Sequence, residues 1–309
     1  MTSVEGGAEE AWARTTTIIV THHSGAVIGP CLDSVARATR IIVIDNESAD
    51  DTLDIVRQRM PRAEIIENPV GVGYGNAANQ GLALVQTEFA LLMNPDAEFV
   101  DEALASLVAE ADVNADAGLL SPLLVGTDGD FDRAWNGPLF QRDLMPGNRK
   151  SEPKPEGSFC TWVVSGAVNL VRMSALKSVG FFDDAIFLYH EDDDICLRLM
   201  AAGFKVLVVP DAVAHHIGGG SIGSGRDRLW EKFYNLSWSR LYFEAKHHSP
   251  AAARVLGWRQ VLRFGLKALL LFRPQKAYRD AARFCGALAY MRGRPASKTT
   301  TRARPEGTV

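Results

Sequence analysis

Between residues 15 and 99 the chain alternates two patterns, and that alternation limits the folds open to it. TTTIIVTHH (15–23), RIIVID (40–45), AEIIEN (63–68) and EFALLMNPDAEF (88–99) are rich in β-branched and large apolar residues, the composition of buried strands. Between them, residues 26–38, the stretch from a capping Ser48 to Pro61, and GVGYGNAANQGLALV (71–85) carry helical spacing. Strand and helix repeated this way predict an α/β fold, a mostly parallel central sheet with right-handed crossovers and flanking helices. A helix over 101–114 and a strand over 117–125 continue the series. Residues 126–160 lose periodicity, and a loop of that length is usually functional or disordered. Regular structure resumes with TWVVSGAVNLVR (161–172), helices at 173–179 and 191–202, the second stopped by Gly203, and the strand FKVLVVP (204–210). A glycine-rich stretch (214–225) precedes helices that run to about 294.

The ends and the charge set further bounds. No run of about 18 apolar residues exists, so no transmembrane helix is expected. MTSVEGGAEEAWAR (1–14) lacks the basic start and apolar centre of a signal peptide and reads as a disordered leader; 295–309 reads as a disordered tail. Four dispersed cysteines without a CxxC argue against a disulfide framework or zinc site and for a cytoplasmic protein. Net charge is −4, yet residues 251–294 hold ten Arg or Lys against the single acid Asp280, while residues 1–250 sum to −15. A basic segment on an acidic body predicts a negatively charged partner, and with no recognisable nucleic-acid module that partner is not nucleic acid. Leu262, Leu266, Leu269 and Leu270 recur near helical spacing among those cations. Three readings stand side by side: a helix lying on an anionic membrane, a helix pair docked on the core, or a homodimer interface.

Chemistry in an open parallel sheet belongs beyond the carboxyl ends of its strands. Thr21/His22/His23, Asp45/Asn46, Asn94/Pro95/Asp96 and His215/His216 all fall at such ends. Asp45 can accept from a ribose hydroxyl or base N–H, or cap a turn. The glycines at 71, 73 and 75 do not make GxGxxG and follow the third strand; Gly73 either lets backbone approach a ligand or leads tightly into a helix. Asn94-Pro95-Asp96 is either a simple turn or a site for a divalent cation that completes its shell with phosphate oxygens. FLYHEDDDICLRL (187–199) crowds four acids, Glu191 to Asp194, onto one helix start. The cluster is either a solvated helix start, where the dipole favours acids, or a general base or metal site, since crowding raises carboxyl pKa values.

Taken in order, IIVTHHS, IIVIDNESADDT, GYGNAANQG, LLMNPDA, SGAVNLVR and VGFFDDAIFLYHEDDDICLRLMAAGFKVLVVPDAVAHHIGGGS resemble glycosyltransferase family 2 over roughly 16–221, and most of all its bacterial rhamnosyltransferase-like members. The resemblance implies the GT-A nucleotide-diphospho-sugar transferase fold over 15–225, with a nucleotide-binding half (15–125), an acceptor-binding half (126–225) and a helical extension (226–294). It implies donor contacts from Thr21, Asp45, Asn46, Gly73, Asn79 and Asn94, and Mg²⁺ or Mn²⁺ held by Asp96 and His216. It implies Asp192 as catalytic base beside Glu191, and an acceptor pocket with Trp162, Ser165, Gly166 and Tyr189. The implied activity is inverting transfer of a sugar, rhamnose from dTDP-rhamnose by subgroup likeness, to a glycan or polyprenyl-diphosphate-linked acceptor. That places the protein on the inner face of the cell membrane, in cell-envelope polysaccharide synthesis. Two alternatives stay open. One is a non-catalytic nucleotide-sugar-binding relative, because Asn94 replaces the family's first acid. The other is a sugar-nucleotide pyrophosphorylase, although the loop HHSGAVIGP lacks that class's lysine.

Overall fold

Every strand and helix expected between 15 and 125 is present in the computed structural model, which describes residues 2–100, 102–144, 148–218, 226–270 and 274–296. The chain runs α1 (Thr2–Ala13), β1 (Thr15–Thr21), α2 (Ile28–Ser34), β2 (Arg40–Asn46), α3 (Thr52–Arg59), β3 (Glu64–Asn68), α4 (Tyr74–Leu82) and β4 (Phe89–Met93). β5 (Ala97–Phe99), α5 (Ala103–Val113) and β6 (Ala117–Val125) follow. The aperiodic stretch holds β7 (Trp135–Asn136), a 3-10 turn (Leu139–Leu144) and β8 (Phe159–Cys160). Then come β9 (Val163–Val164), β10 (Val168–Arg172), α6 (Met173–Val179), α7 (Glu191–Ala201) and β11 (Lys205–His216).

The main sheet has the order β3-β2-β1-β4-β10-β6-β11-β5, with β8 also paired to β11. The β3-β2-β1-β4 ladders are parallel, as the crossovers require, and so is β6-β11. β10 runs antiparallel between β4 and β6, which brings its starting end to the edge where the parallel strands finish. Alternation along each strand splits the core in two. Ile19, Val43 and Leu91 join α1, α2, α3 and α5 on one face; Ile18, Ile42 and Leu92 join α4, α6 and α7 on the other.

Three expectations are corrected. The expected disordered leader 1–14 is helical over Thr2–Ala13: α1 forms there, with Ala8, Ala11 and Trp12 recurring on one face and buried. Ser48 does not cap α3; Asp51 holds that position, and the Ser48 hydroxyl accepts the His23 N–H at 2.8 Å instead. The strand expected to end at 210 continues to His216, across a register shift between Val209 and Val213 that leaves 210–212 as extra residues against β6.

The domain division also differs from the one expected. The chain forms two compact units, Met1–Asp183 with Glu191–Ile222, and Asp184–His190 with Gly223–Val309. Residues 184–190 belong to the second because their groups find partners there: Ser239 Oγ donates to the Leu188 carbonyl at 2.9 Å, and the His190 ring lies 6.3 Å from that of Phe243. This unit is built from α8 (Arg226–His247), α9 (Pro250–Leu270) and α10 (Pro274–Met291). α10 can approach α8 closely only because residue 286 is glycine: a Cβ there would stand 2.1 Å from the Tyr234 carbonyl oxygen. The glycine-rich 219–225 and the tail from 297 lie outside the described residues.

Candidate active site

One edge of the main sheet collects the polar clusters. Thr21 lies opposite Asp45 in the β1-β2 register, so the two side chains share a face, and Thr21 Oγ1 donates to Asp45 Oδ1 at 2.9 Å. Asp45 Oδ2 accepts the Ser48 N–H at 2.9 Å. Asn46 spans to the next loop, its Oδ1 accepting the Val72 N–H at 2.9 Å. His22 Nδ1 donates to the Asn46 carbonyl at 2.8 Å, and His23, at φ 50°, accepts the Ala49 N–H at Nδ1. The two histidines therefore pin the loops beyond β1 and β2 to each other. Gly73, at φ 89°, leads into α4 through a conformation that side chains resist. Asn79 uses both ends of its amide on the Phe182 backbone, at 2.8 and 2.9 Å. That ties α4 to the segment before α7.

Asn94 follows the end of β4, and its N–H donates to the Ala167 carbonyl at 2.8 Å. Asn94 keeps its side chain partly exposed, and Asp96 two residues on is 3% exposed. β5 turns back against β11, placing His216 opposite Ala97. His216 Nε2 therefore stands 3.4 Å from Asp96 Oδ1, and the Ile217 N–H donates to the Asp96 carbonyl at 3.1 Å. A carboxylate oxygen, the donor type Mn²⁺ and Mg²⁺ prefer, and an imidazole nitrogen converge here. Among the described residues no group of three or more potential ligands forms. Beside His216 opens a cleft of about 450 Å³, lined by Asp128, Asp130, Asp132, Arg133 and Lys150 among others.

The four acids of α7 separate by environment. Asp194 is fully buried and pairs with Arg198 Nε at 2.8 Å; the rest of that guanidinium donates to the carbonyls of Val179, Gly180 and Phe181. Asp193 is buried and ion-paired to Arg142. Glu191 is buried with its Oε2 lacking a hydrogen-bond partner among the described residues. Burial first, and the Asp192 charge second, push the Glu191 carboxyl up to about 8. Tyr74 is pushed upward too, by burial and then by Glu191 and Asp192. Asp192 alone of the four reaches the surface in part, its Oδ2 accepting the Gly166 N–H at 3.1 Å and its Oδ1 the Asp193 N–H at 2.9 Å. A Cβ on residue 166 would meet the Asp192 Cβ at 3.4 Å, an ordinary van der Waals contact.

The other acceptor candidates divide. Ser165 donates its N–H to the Ala134 carbonyl at 2.8 Å, next to the Gly166–Asp192 contact. Trp162 is 51% exposed between β8 and β9. Tyr189, at φ 68°, belongs to the second unit with 184–190. Sequence reasoning missed Tyr74, Arg142 and Arg198. Arg198 sits at i+4 from Asp194, a legible signal; Arg142 is 51 residues from its partner and carries none.

Thr21, Asp45, Asn94, Asp96, Gly166, Asp192 and His216 thus lie at the carboxyl edge of a mixed sheet, where ligands of α/β sheets bind. The chain is 28% identical over 297 residues to an N-acetylglucosaminyl-diphospho-decaprenol L-rhamnosyltransferase of Mycobacterium tuberculosis, covering 86% of this chain and 93% of that one. Its fold matches a mannosyltransferase, PcManGT from Pyrobaculum calidifontis in complex with GDP-Man and Mn²⁺, at a TM-score of 0.52 and 16% identity, over 94% of this chain and 96% of that one. GalNAc-T7 with UDP, GalNAc and Mn²⁺ matches at 0.54 and 17% identity; 75% of this chain is covered, and it spans 50% of GalNAc-T7. These neighbours share the GT-A fold. The model of glycosyl transferase family 2 matches residues 16–180, and that of glycosyl transferase family group 2 matches 156–291. With both the ordered motifs and the edge they build accounted for, this chain is a transferase belonging to glycosyl transferase family 2.

Proposed function

We propose that the protein is an inverting, divalent-metal-dependent rhamnosyltransferase, moving rhamnose from dTDP-rhamnose to a hydroxyl of a polyprenyl-diphosphate-linked glycan in cell-envelope polysaccharide synthesis. The sugar and the lipid-linked acceptor rest on the likeness to the mycobacterial enzyme. The chemistry rests on one observation: of four adjacent carboxylates, the partly exposed one is Asp192, held by the Gly166 N–H.

In this reading Thr21, Asp45 and Asn46 receive the nucleoside, with Asn94 near the diphosphate and sugar. Asp96 and His216 would hold the cation, which would supply neutralisation of charge on the diphosphate. Asp192 takes the proton from the acceptor hydroxyl. The freed oxygen attacks the anomeric carbon from the face opposite the nucleotide, the bond to the diphosphate oxygen breaks, and dTDP leaves with that electron pair. One displacement inverts the anomeric centre. Trp162, Ser165 and Gly166 border the acceptor.

Asp192→Asn tests the assignment, because it preserves size and removes the proton acceptor. Turnover should fall on the order of a thousandfold, within the range lost with a general base. Donor affinity, measured by titration calorimetry, should stay within about twofold, since the base does not bind the nucleotide. A variant with wild-type turnover would remove Asp192 from the mechanism.

A further inference from the structure

The C-terminal unit carries a surface that sugar transfer does not use. Along α9 the residues Val255, Trp258, Leu262 and Leu266 follow one another in steps of three, four and four, which sets them in a single stripe. They are 54, 58, 63 and 57% exposed. The opposite face of α9 is already occupied. Ala253 is 1% exposed, Gly257 packs where a Cβ would strike Met291 of α10, and Gln260 accepts from Ser237 of α8 at 2.8 Å. The stripe is therefore not a core face awaiting its helices.

Charge identifies what the stripe faces. Arg254 borders it on one side, and Arg259, Arg263 and Lys267 on the other, all exposed; α9 contains no acid. A second copy paired two-fold through its own α9 would bring arginine against arginine, with no acid on α9 to neutralise it. An anionic lipid surface supplies phosphates to the cations and an apolar layer to the stripe, and tryptophan favours that boundary. Insertion across the bilayer is not the alternative: among the described residues no helix is long and apolar enough to cross a membrane.

We infer that α9 docks the protein flat on an anionic membrane surface, with Val255, Trp258, Leu262 and Leu266 entering the headgroup boundary and the four flanking cations meeting lipid phosphates. The inference rests on α9 alone and holds whether or not the sugar acceptor is lipid-linked.

The test is co-sedimentation of the full chain with vesicles of phosphatidylcholine and phosphatidylglycerol in equal parts, against phosphatidylcholine alone. Binding is expected to the anionic vesicles only. It should weaken several-fold when salt is raised from about 0.1 M to about 1 M, where the screening length falls from about 10 to about 3 Å. Leu262→Asp with Leu266→Asp should lower the bound fraction roughly tenfold or more, since apolar burial and charge act together. Both positions face solvent, so the melting temperature should not move. Absence of binding to anionic vesicles, equal binding to both lipids, or binding unchanged by the paired substitution would each overturn the inference. So would a dimer in vesicle-free buffer that the same substitutions dissociate, because a second copy would then own the stripe.

Discussion

Glu191 and Asp192 are consecutive in one helical turn, yet only the second reaches the surface. Burial raises the Glu191 carboxyl from the ordinary 4.5 to about 8, so the folded chain binds this proton more tightly than the unfolded one. The stability it contributes is complete below about 4.5 and is lost as pH rises through about 8. Glu191→Gln keeps the neutral form at every pH. Urea unfolding at pH 5 and pH 8 should therefore show the wild type losing more stability between the two than the variant does; an equal loss would mean Glu191 ionises normally in its pocket. The acid quartet itself was legible in the sequence, and so was its place at a helix start. The resemblance pointed to Asp192 as the base, but why it is the exposed one was not legible, because the partner of Asp193 and the peptide N–H that seats Asp192 come from residues 142 and 166. Asn79 was expected at the nucleotide; its amide lies on the Phe182 backbone, a contact across 103 residues that no local pattern announces.

Elements were readable wherever both faces of a strand are buried. β1, β2 and β4 are almost wholly buried, and their apolar runs stand out because parallel strands between two helix layers have no wet side. Short strands such as β7 and β8 escaped, since two residues carry no period. The N-terminal helix escaped for a different reason. Its polar residues and glycines masked the spacing of Ala8, Ala11 and Trp12, and only the core they join makes the helix worth forming. Trp12 is 6% exposed within that core. Trp12→Ala should cost about 3 kcal/mol, the low end for truncating a buried aromatic, read as a lowered urea midpoint with unchanged slope. An unaltered midpoint would return residues 1–14 to the status of a leader.

At the scale of the whole molecule the catalytic unit should respond to its ligands by linkage. A nucleotide-sugar at a hundred times its Kd stabilises the native state by about 2.7 kcal/mol. For a unit of this size that raises the melting temperature by roughly 2–4 °C per kcal/mol. In a thermal-shift comparison of dTDP-, UDP- and GDP-sugars, a shift with dTDP-rhamnose that needs Mn²⁺ or Mg²⁺ is the expected outcome. A shift confined to another nucleotide would replace the donor, and one indifferent to metal would remove Asp96 and His216 from the cation. The charge asymmetry was legible from composition, but only the three-helix packing shows which cations line the exposed stripe. The division into units has a further consequence for exchange of parts between relatives. The chain leaves the first unit after Asp183, contributes 184–190 to the helical unit, and returns at Glu191. A chimera joined once, after residue 222, would take away Ser239 and Phe243 while leaving behind the Leu188 and His190 that pack on them. Recombination that preserves the lead-in to the acid quartet must move 184–190 together with the helices, so the C-terminal unit is inherited as two pieces of sequence rather than one.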